Sequence, residues 1–205
     1  MPLVKVPAND PQTVVDDAAA GSLAHLVALL AAPGGADRRA AVRGLEAHDE
    51  GIAPLCARLA IETAASVREA IVATLIRRRS TAVVTALLPL LRSDEAPQRN
   101  AALEALAAMP DEVAPHVEPL LRDADPDVRI FTANLLGVLP HPQAEAWLLT
   151  ALADDHVNVC AAAIDGLAEI GSAAALPALR ALPARFPDDS FIAFAAAVAA
   201  QRIDA

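Results

Sequence analysis

The chain has 205 residues, of which 55% are apolar, 20% charged and only 2% aromatic, with one Trp and no Tyr. That much apolar material excludes an intrinsically disordered chain, and the scarcity of large rings calls for a core of Leu, Val, Ile and Ala, suited to close helix packing. A net charge of −10 with a single lysine, Lys5, argues against a general nucleic-acid binder, and two cysteines are too few for a disulfide scaffold.

Residues 1–20 hold Pro2, Pro7 and Pro11, early acids and no apolar core of signal-peptide length, so an irregular N-terminal arm is expected there. No apolar stretch approaches the ~18 residues of a membrane span, which predicts a soluble, cytoplasmic protein. Beyond the arm, a motif recurs every 30 or 31 residues in "DRRAAVRGL", "SVREAIVATL", "QRNAALEAL", "DVRIFTANLL" and "NVCAAAIDGL". It aligns Arg38, Arg68, Arg99, Arg129 and Cys160, and seven residues later Leu45, Leu75, Leu106, Leu136 and Leu167. One more step of about 31 residues reaches Phe191, Ala193 and Val198. Between these copies lie "LAHLVALLAA", "IAPLCARLA", "VVTALLPLLR", "VAPHVEPLLR", "AEAWLLTALA" and "AALPALRAL". Their apolar residues follow the 3.6-residue period of a helix, not the alternation of a strand.

Each unit therefore reads as two antiparallel helices. The first helices are placed at about 37–48, 66–77, 97–109, 127–139, 158–170 and 190–202, the second at about 22–32, 51–61, 81–93, 112–123, 143–154 and 173–185. Asp127, Asn158 and Ser190 are suited to N-cap the helices they precede, and Gly171 to end one. Pro54, Pro115 and Pro177 fit first turns, where a missing N–H costs little, whereas Pro89 and Pro119 fall mid-helix and predict a shared kink. One hairpin cannot bury its apolar side and stacked hairpins can. The predicted fold is all-α: a short right-handed α-solenoid of about six helix pairs forming one domain over residues 21–202, with the five recurrent leucines in its core.

"DADPDVRIFTANLLGVLP" and "DDHVNVCAAAIDGLAEIG" resemble HEAT-like repeats of the phycobiliprotein-lyase type, whose usual form is D-x-x-x-x-V-R-x-x-A-x-x-x-L-G-x-(I/L)-G. The resemblance extends over about residues 22–202, puts the family's arginine on Arg38, Arg68, Arg99 and Arg129, departs from it at Cys160, and keeps its glycines as Gly137 and Gly171. It implies stacked helix pairs. For function it implies bilin lyases, adaptors and scaffolds alike, since fold does not fix function.

Four arginines at one repeat position are read as a structural ladder that bonds the preceding turn or a neighbour's acids, rather than as a cradle for carboxylates or phosphates. Arg77, Arg78 and Arg79 break the period and concentrate positive charge; they form either a docking patch for an acidic partner or a solvated helix end. The chain has no H-E-x-x-H, no G-x-S-x-G and none of the His-Glu pairs that deoxyhypusine hydroxylase, an enzyme built on similar repeats, carries for its di-iron site. His156, Cys160 and Asp155 supply too few ligands for zinc, and Cys56 reads as a buried small hydrophobe. No catalytic residue, metal or cofactor is expected.

What remains is contact chemistry. Polar or aromatic groups interrupt the second helices at His25, Arg58, Arg92, His116, Glu118, Arg122, Trp147 and Arg180, and of these Trp147 is the best candidate for a contact, with packing in the core beside Leu148, Leu149 and Leu152 as the other reading. The last helix, "SFIAFAAAVAAQRIDA", is apolar nearly all round, so Phe191 and Phe194 suggest a sticky end for a partner, a second copy or the N-terminal segment. The expected function is a non-enzymatic interaction module, scaffold or adaptor that binds a protein or peptide along the groove, with self-association through the C-terminal helix as an option and neither nucleic acid nor membrane as partner. The alternative is an accessory, lyase-like subunit assisting maturation of a cofactor-containing protein.

Overall fold

Helix is the only regular structure among residues 21–204, which the computed structural model describes; the arm expected at residues 1–20 lies outside the described residues. The chain divides into two compact units, Met1–Leu75 and Ile76–Ala205. In the first, α1 (Leu23–Leu29) packs on α2 (Gly35–Leu45), and a 3₁₀ turn at Asp49–Gly51 leads into α3 (Ile52–Leu59), which also packs on α2. Ser22 starts α1 by accepting from the His25 N–H at 3.3 Å. Helix α4 (Ala65–Arg78) carries the boundary between the units.

The second unit contains α5 (Thr81–Leu87), α6 (Ala96–Ala107), α7 (Pro110–Leu121), α8 (Pro126–Leu136), α9 (Ala144–Leu152), α10 (Val157–Ile170), α11 (Leu176–Ala181) and α12 (Ser190–Ile203). Helices α6, α8, α10 and α12 pack side by side in one row, and α5, α7, α9 and α11 in a second, with neighbours in sequence joining the rows. This is the stacking of a solenoid, in which each hairpin covers the apolar side of the last. Among the described residues no helix is long and apolar enough to cross a membrane.

Counting from the N-caps explains the repeat. In the helices capped at Gly34, Glu95, Asp125 and His156, the ladder residue (Arg38, Arg99, Arg129 or Cys160) sits four positions after the cap and the recurrent leucine eleven after it. Leu45, Leu75, Leu106, Leu136 and Leu167 are all buried in the core. The last step of the sequence reading has the wrong register. Asp189 caps α12, so Ala193 and Ala200 take the two repeat positions rather than Phe191 and Val198. The link before α12 is two residues longer than the period allows. Ile192, Ala196 and Ala200 therefore turn inward, while Val198 stays 47% exposed.

The caps also differ from expectation. The carboxylates of Asp125 and Asp189 accept from the Asp127 and Ile192 N–H groups, and His156 precedes α10 without a side-chain bond; Asp127, Ser190 and Asn158 lie inside their helices. Pro126 accounts for the first shift, since its fixed φ opens α8 at the first helical position and leaves Asp125 as the cap. Helix α7 starts at Pro110, which places Pro115 inside it rather than in its first turn. The two prolines expected to share a mid-helix setting do not share one. Helix α5 ends at Leu87 and passes into a 3₁₀ segment, Leu88–Arg92, holding Pro89, whereas α7 continues through Pro119 to Leu121. Gly137 and Gly166 bring α8 and α10 into close approach: a Cβ on Gly137 would lie 2.9 Å from the Gly166 Cα. Gly171 ends α10 in an extended conformation, where a Cβ would meet the Leu167 carbonyl oxygen at 2.4 Å.

Candidate functional site

The ladder arginines spend their donors inside the repeats. Arg38 Nη1 donates to the Ala32 and Pro33 carbonyls at 2.9 and 3.0 Å, Arg68 to those of Glu62 and Thr63 at 3.1 and 2.8 Å, Arg99 to Ser93 at 2.7 Å and Arg129 to Asp123 at 2.7 Å. These carbonyls follow the preceding second helix, where acceptors lack intrahelical donors and the helix dipole favours a cation. Two of these side chains also reach forward to an acid. Arg38 grips Glu62 at 2.8 and 2.9 Å, and Arg129 grips Asp154 at 2.7 and 3.2 Å. Arg99 instead lies 4.2 Å over the Phe131 ring, its Nε without a partner.

Sequence reasoning did not single out Glu62, which is 0% exposed and also accepts from Arg58 Nε and the Ala64 N–H, each at 2.8 Å. Burial alone would raise its pKa; the bonds from Arg38, Arg58 and Ala64 outweigh burial and hold it down at about 2. Asp154 follows the same logic, with burial opposed by Arg129 and the His156 N–H and a net lowering. A signal was present: Glu62, Asp123 and Asp154 each precede a ladder position by six residues, the place of the acid in the D-x-x-x-x-V-R pattern.

Where Cys160 replaces the ladder arginine, a residue from the next hairpin takes over. The buried thiol donates to the Leu152 and Asp154 carbonyls at 3.3 and 3.1 Å. Arg185 reaches the same turn, donating to Leu152 at 2.8 Å, Ala153 at 3.1 Å and Asp154 at 2.7 Å. Burial is the largest influence on Cys160 and raises its pKa; it pushes Cys56 up to about 12. Burial thus favours the neutral thiol at both positions. No group of three potential metal-binding His, Cys, Asp or Glu side chains occurs among the described residues.

The row α7, α9 and α11 leaves three adjoining cavities. One of about 100 Å³ is lined by Glu118, Leu121, Arg122, Trp147 and Thr150. A polar one of about 310 Å³ shares Leu121 and Arg122 with it and adds Asp123, Arg129, Asp154 and Asp155. Ala153 joins that to an apolar slot of about 220 Å³ between Leu149, Leu152, Ala178, Ala181 and Leu182, with Arg185 beside it. The apolar slot thus lies beside a mixed-charge strip.

The sequence-derived contact residues do not form one patch. Arg122 is exposed, pairs with Glu118 at 3.2 Å and shares the smallest cavity with Trp147. Of the two readings of Trp147, contact and core packing, the structure shows the second. Trp147 is 8% exposed and stacked on His141 with ring centroids 4.7 Å apart, because it shares the buried stripe of α9 with Ala144, Leu148 and Ala151. Arg58 is likewise not exposed but tied to Glu62. His116 is half-buried on α7, its Nε2 enclosed without a partner, and His25 is exposed on α1. Arg92 is exposed and bound to Asp123 and Asp125, and exposed Arg180 is bound to Asp204. Arg77 and Arg78 end α4, exposed and half-buried in turn, while Arg79 pairs with Glu112 at 3.0 Å and Asp111 at 3.7 Å in the first turn of α7. Phe191 and Phe194 are 61% and 68% exposed and line a separate groove of about 200 Å³ between α10 and α12.

Stacked hairpins with a once-per-unit arginine define an α-helical repeat protein. Residues 114–201 match the family model described as HEAT repeats, and that part of the chain is similar to it. Among solved structures, the chain is similar to an engineered protein at 20% identity, with a TM-score of 0.43 over 87% of this chain and 95% of that one. It is also similar to YibA from Escherichia coli at 16% identity, with a TM-score of 0.30 over 98% of this chain and 100% of that one. No curated protein matches significantly.

Proposed function

We propose that this chain is a non-enzymatic cytoplasmic adaptor or scaffold that binds a segment of another protein along the groove lined by α7, α9 and α11. HEAT repeats commonly mediate protein–protein interaction. The observation that carries the reading is that three cavities adjoin through Leu121, Arg122 and Ala153, with a seat for an apolar side chain between Leu149 and Leu182 beside the charged strip around Arg122. The lyase-like alternative would use the same groove, where Trp147 and Arg122 line the smallest cavity, but the indole is only 8% exposed and stacked on His141. The Phe191–Phe194 stripe of α12 supplies a second contact surface, which self-association would cover.

Peptides selected from a random displayed library against the purified protein test the groove. Leu149→Glu and Arg122→Glu are each expected to weaken the selected peptides by about tenfold or more, the loss of one well-placed contact, while Phe194→Glu leaves them unchanged. Equal affinity for all three variants would place the binding surface elsewhere.

A further inference from the structure

Asp155 differs from the other charges that line the groove of α7, α9 and α11. Arg129 spends its donors on Asp154 and on the Asp123 and Ala124 carbonyls. Asp123 accepts from Arg92 and from the Asp125 N–H, and Arg122 pairs with Glu118. Arg185 donates to three carbonyls at the end of α9, where spare acceptors and the helix dipole offset a cation. The Asp155 carboxylate is fully exposed and, among the described residues, accepts no hydrogen bond; Arg185 stands 3.8 Å away, beyond bonding distance. A partner that covers this carboxylate removes it from water and needs a cation to replace the lost solvation.

The cavities set the order of contacts. Asp155 lines the polar cavity, which shares Ala153 with the apolar slot on one side and Leu121 and Arg122 with the smallest cavity on the other. Asp155 lies on the slot side, beside Arg185, which also lines the slot. The Arg122–Glu118 bond joins two exposed groups on one helix, so it is weak and readily exchanged for another carboxylate. Slot, anion and cation thus follow one another from α11 to α7. At about 220 Å³ the slot holds a side chain up to the size of a phenyl ring.

We propose that the groove takes a protein segment presenting an apolar, a basic and an acidic side chain in that order, seated in the slot, on Asp155 and on Arg122. The proposal rests on the reading of α7, α9 and α11 as a binding groove and adds the chemistry of its occupant.

Peptides selected from a random displayed library, separately on the parent protein and on Asp155→Lys, test the proposal. The exchanged side chain is outside the core, so the variant keeps the fold. Parent-selected peptides are expected to carry Lys or Arg beside an apolar residue, and Asp155→Lys weakens them about fivefold, the loss of one exposed ion pair. Replacing the peptide's basic residue by Glu weakens binding to the parent similarly, and the two reversals together recover it. Selection on Asp155→Lys returns an acidic residue at that place. Peptides weakened by Leu149→Glu and Arg122→Glu but indifferent to Asp155→Lys, or strengthened by it, keep the groove and overturn the charge order. Peptides indifferent to all three variants, or a library that yields no binder, overturn both.

Discussion

Replacing Glu62 by Ala is expected to destabilise the Met1–Leu75 unit by roughly 3–5 kcal/mol, the cost of removing one partner from a buried ion pair. Glu62 is fully enclosed and accepts four hydrogen bonds, two from Arg38, one from Arg58 and one from the Ala64 N–H. Its loss leaves two guanidinium groups that are themselves mostly covered facing an empty acceptor site. The pH dependence has a definite sign. The folded pKa, about 2, lies below the ordinary value of 4.5, so the stabilisation is complete above pH 4.5 and is lost as pH falls from 4.5 through 2. Urea unfolding followed by far-UV circular dichroism at pH 7 and pH 3 checks both parts. The parent loses stability on acidification more steeply than Glu62→Gln, which has no proton to take up at that site. Equal acid sensitivity of the two would remove Glu62 from the account.

The second large effect is a contrast between two aliphatic residues two positions apart. Leu136→Ala is expected to cost roughly 2–5 kcal/mol, because the side chain is wholly buried between stacked hairpins and its removal leaves a cavity. Val138→Ala, at a residue 68% exposed, is expected to change stability by no more than about 0.5 kcal/mol. The single tryptophan, Trp147, is enclosed on α9 in the same unit, so its fluorescence during urea unfolding reports on both variants. Similar costs at the two positions would contradict the packing register, in which the leucine eleven residues after each N-cap is the repeated core contact.

Most of the helical architecture was legible because a helix advertises its buried face by spacing, and leucines recurring with one period locate the same contact in each hairpin. The details that stayed illegible depend on loops and on distant residues. Two extra residues before α12 shift its register, and the periodic reading then assigned Phe191 and Val198 to positions held by Ala193 and Ala200. Which of two neighbouring polar residues caps a helix depends on where the preceding turn ends, which is why Asp125 rather than Asp127 starts α8. Arg185 was missed because its acceptor Leu152 is 33 residues away in sequence, and the six-residue spacing that marks Glu62 does not reveal its bond to Arg38, 24 residues away. Trp147 admitted two readings for a different reason. An aromatic ring among leucines looks like an interruption of the apolar stripe, whereas on α9 it belongs to that stripe. Arg122 lines a cavity of the groove, and Phe191 and Phe194 stand exposed on α12, both read from sequence as contact residues; the groove's apolar slot, made of Leu149, Ala178, Ala181 and Leu182, carries no chemical signature that a sequence could reveal.

Amide hydrogen exchange with and without a library-selected peptide tests the central claim most directly. Slower exchange in α7, α9 and α11, with α6, α8 and α10 unchanged, is the predicted result. Protection confined to the α6–α8–α10–α12 row, or to the Met1–Leu75 unit, would contradict the groove as the binding surface.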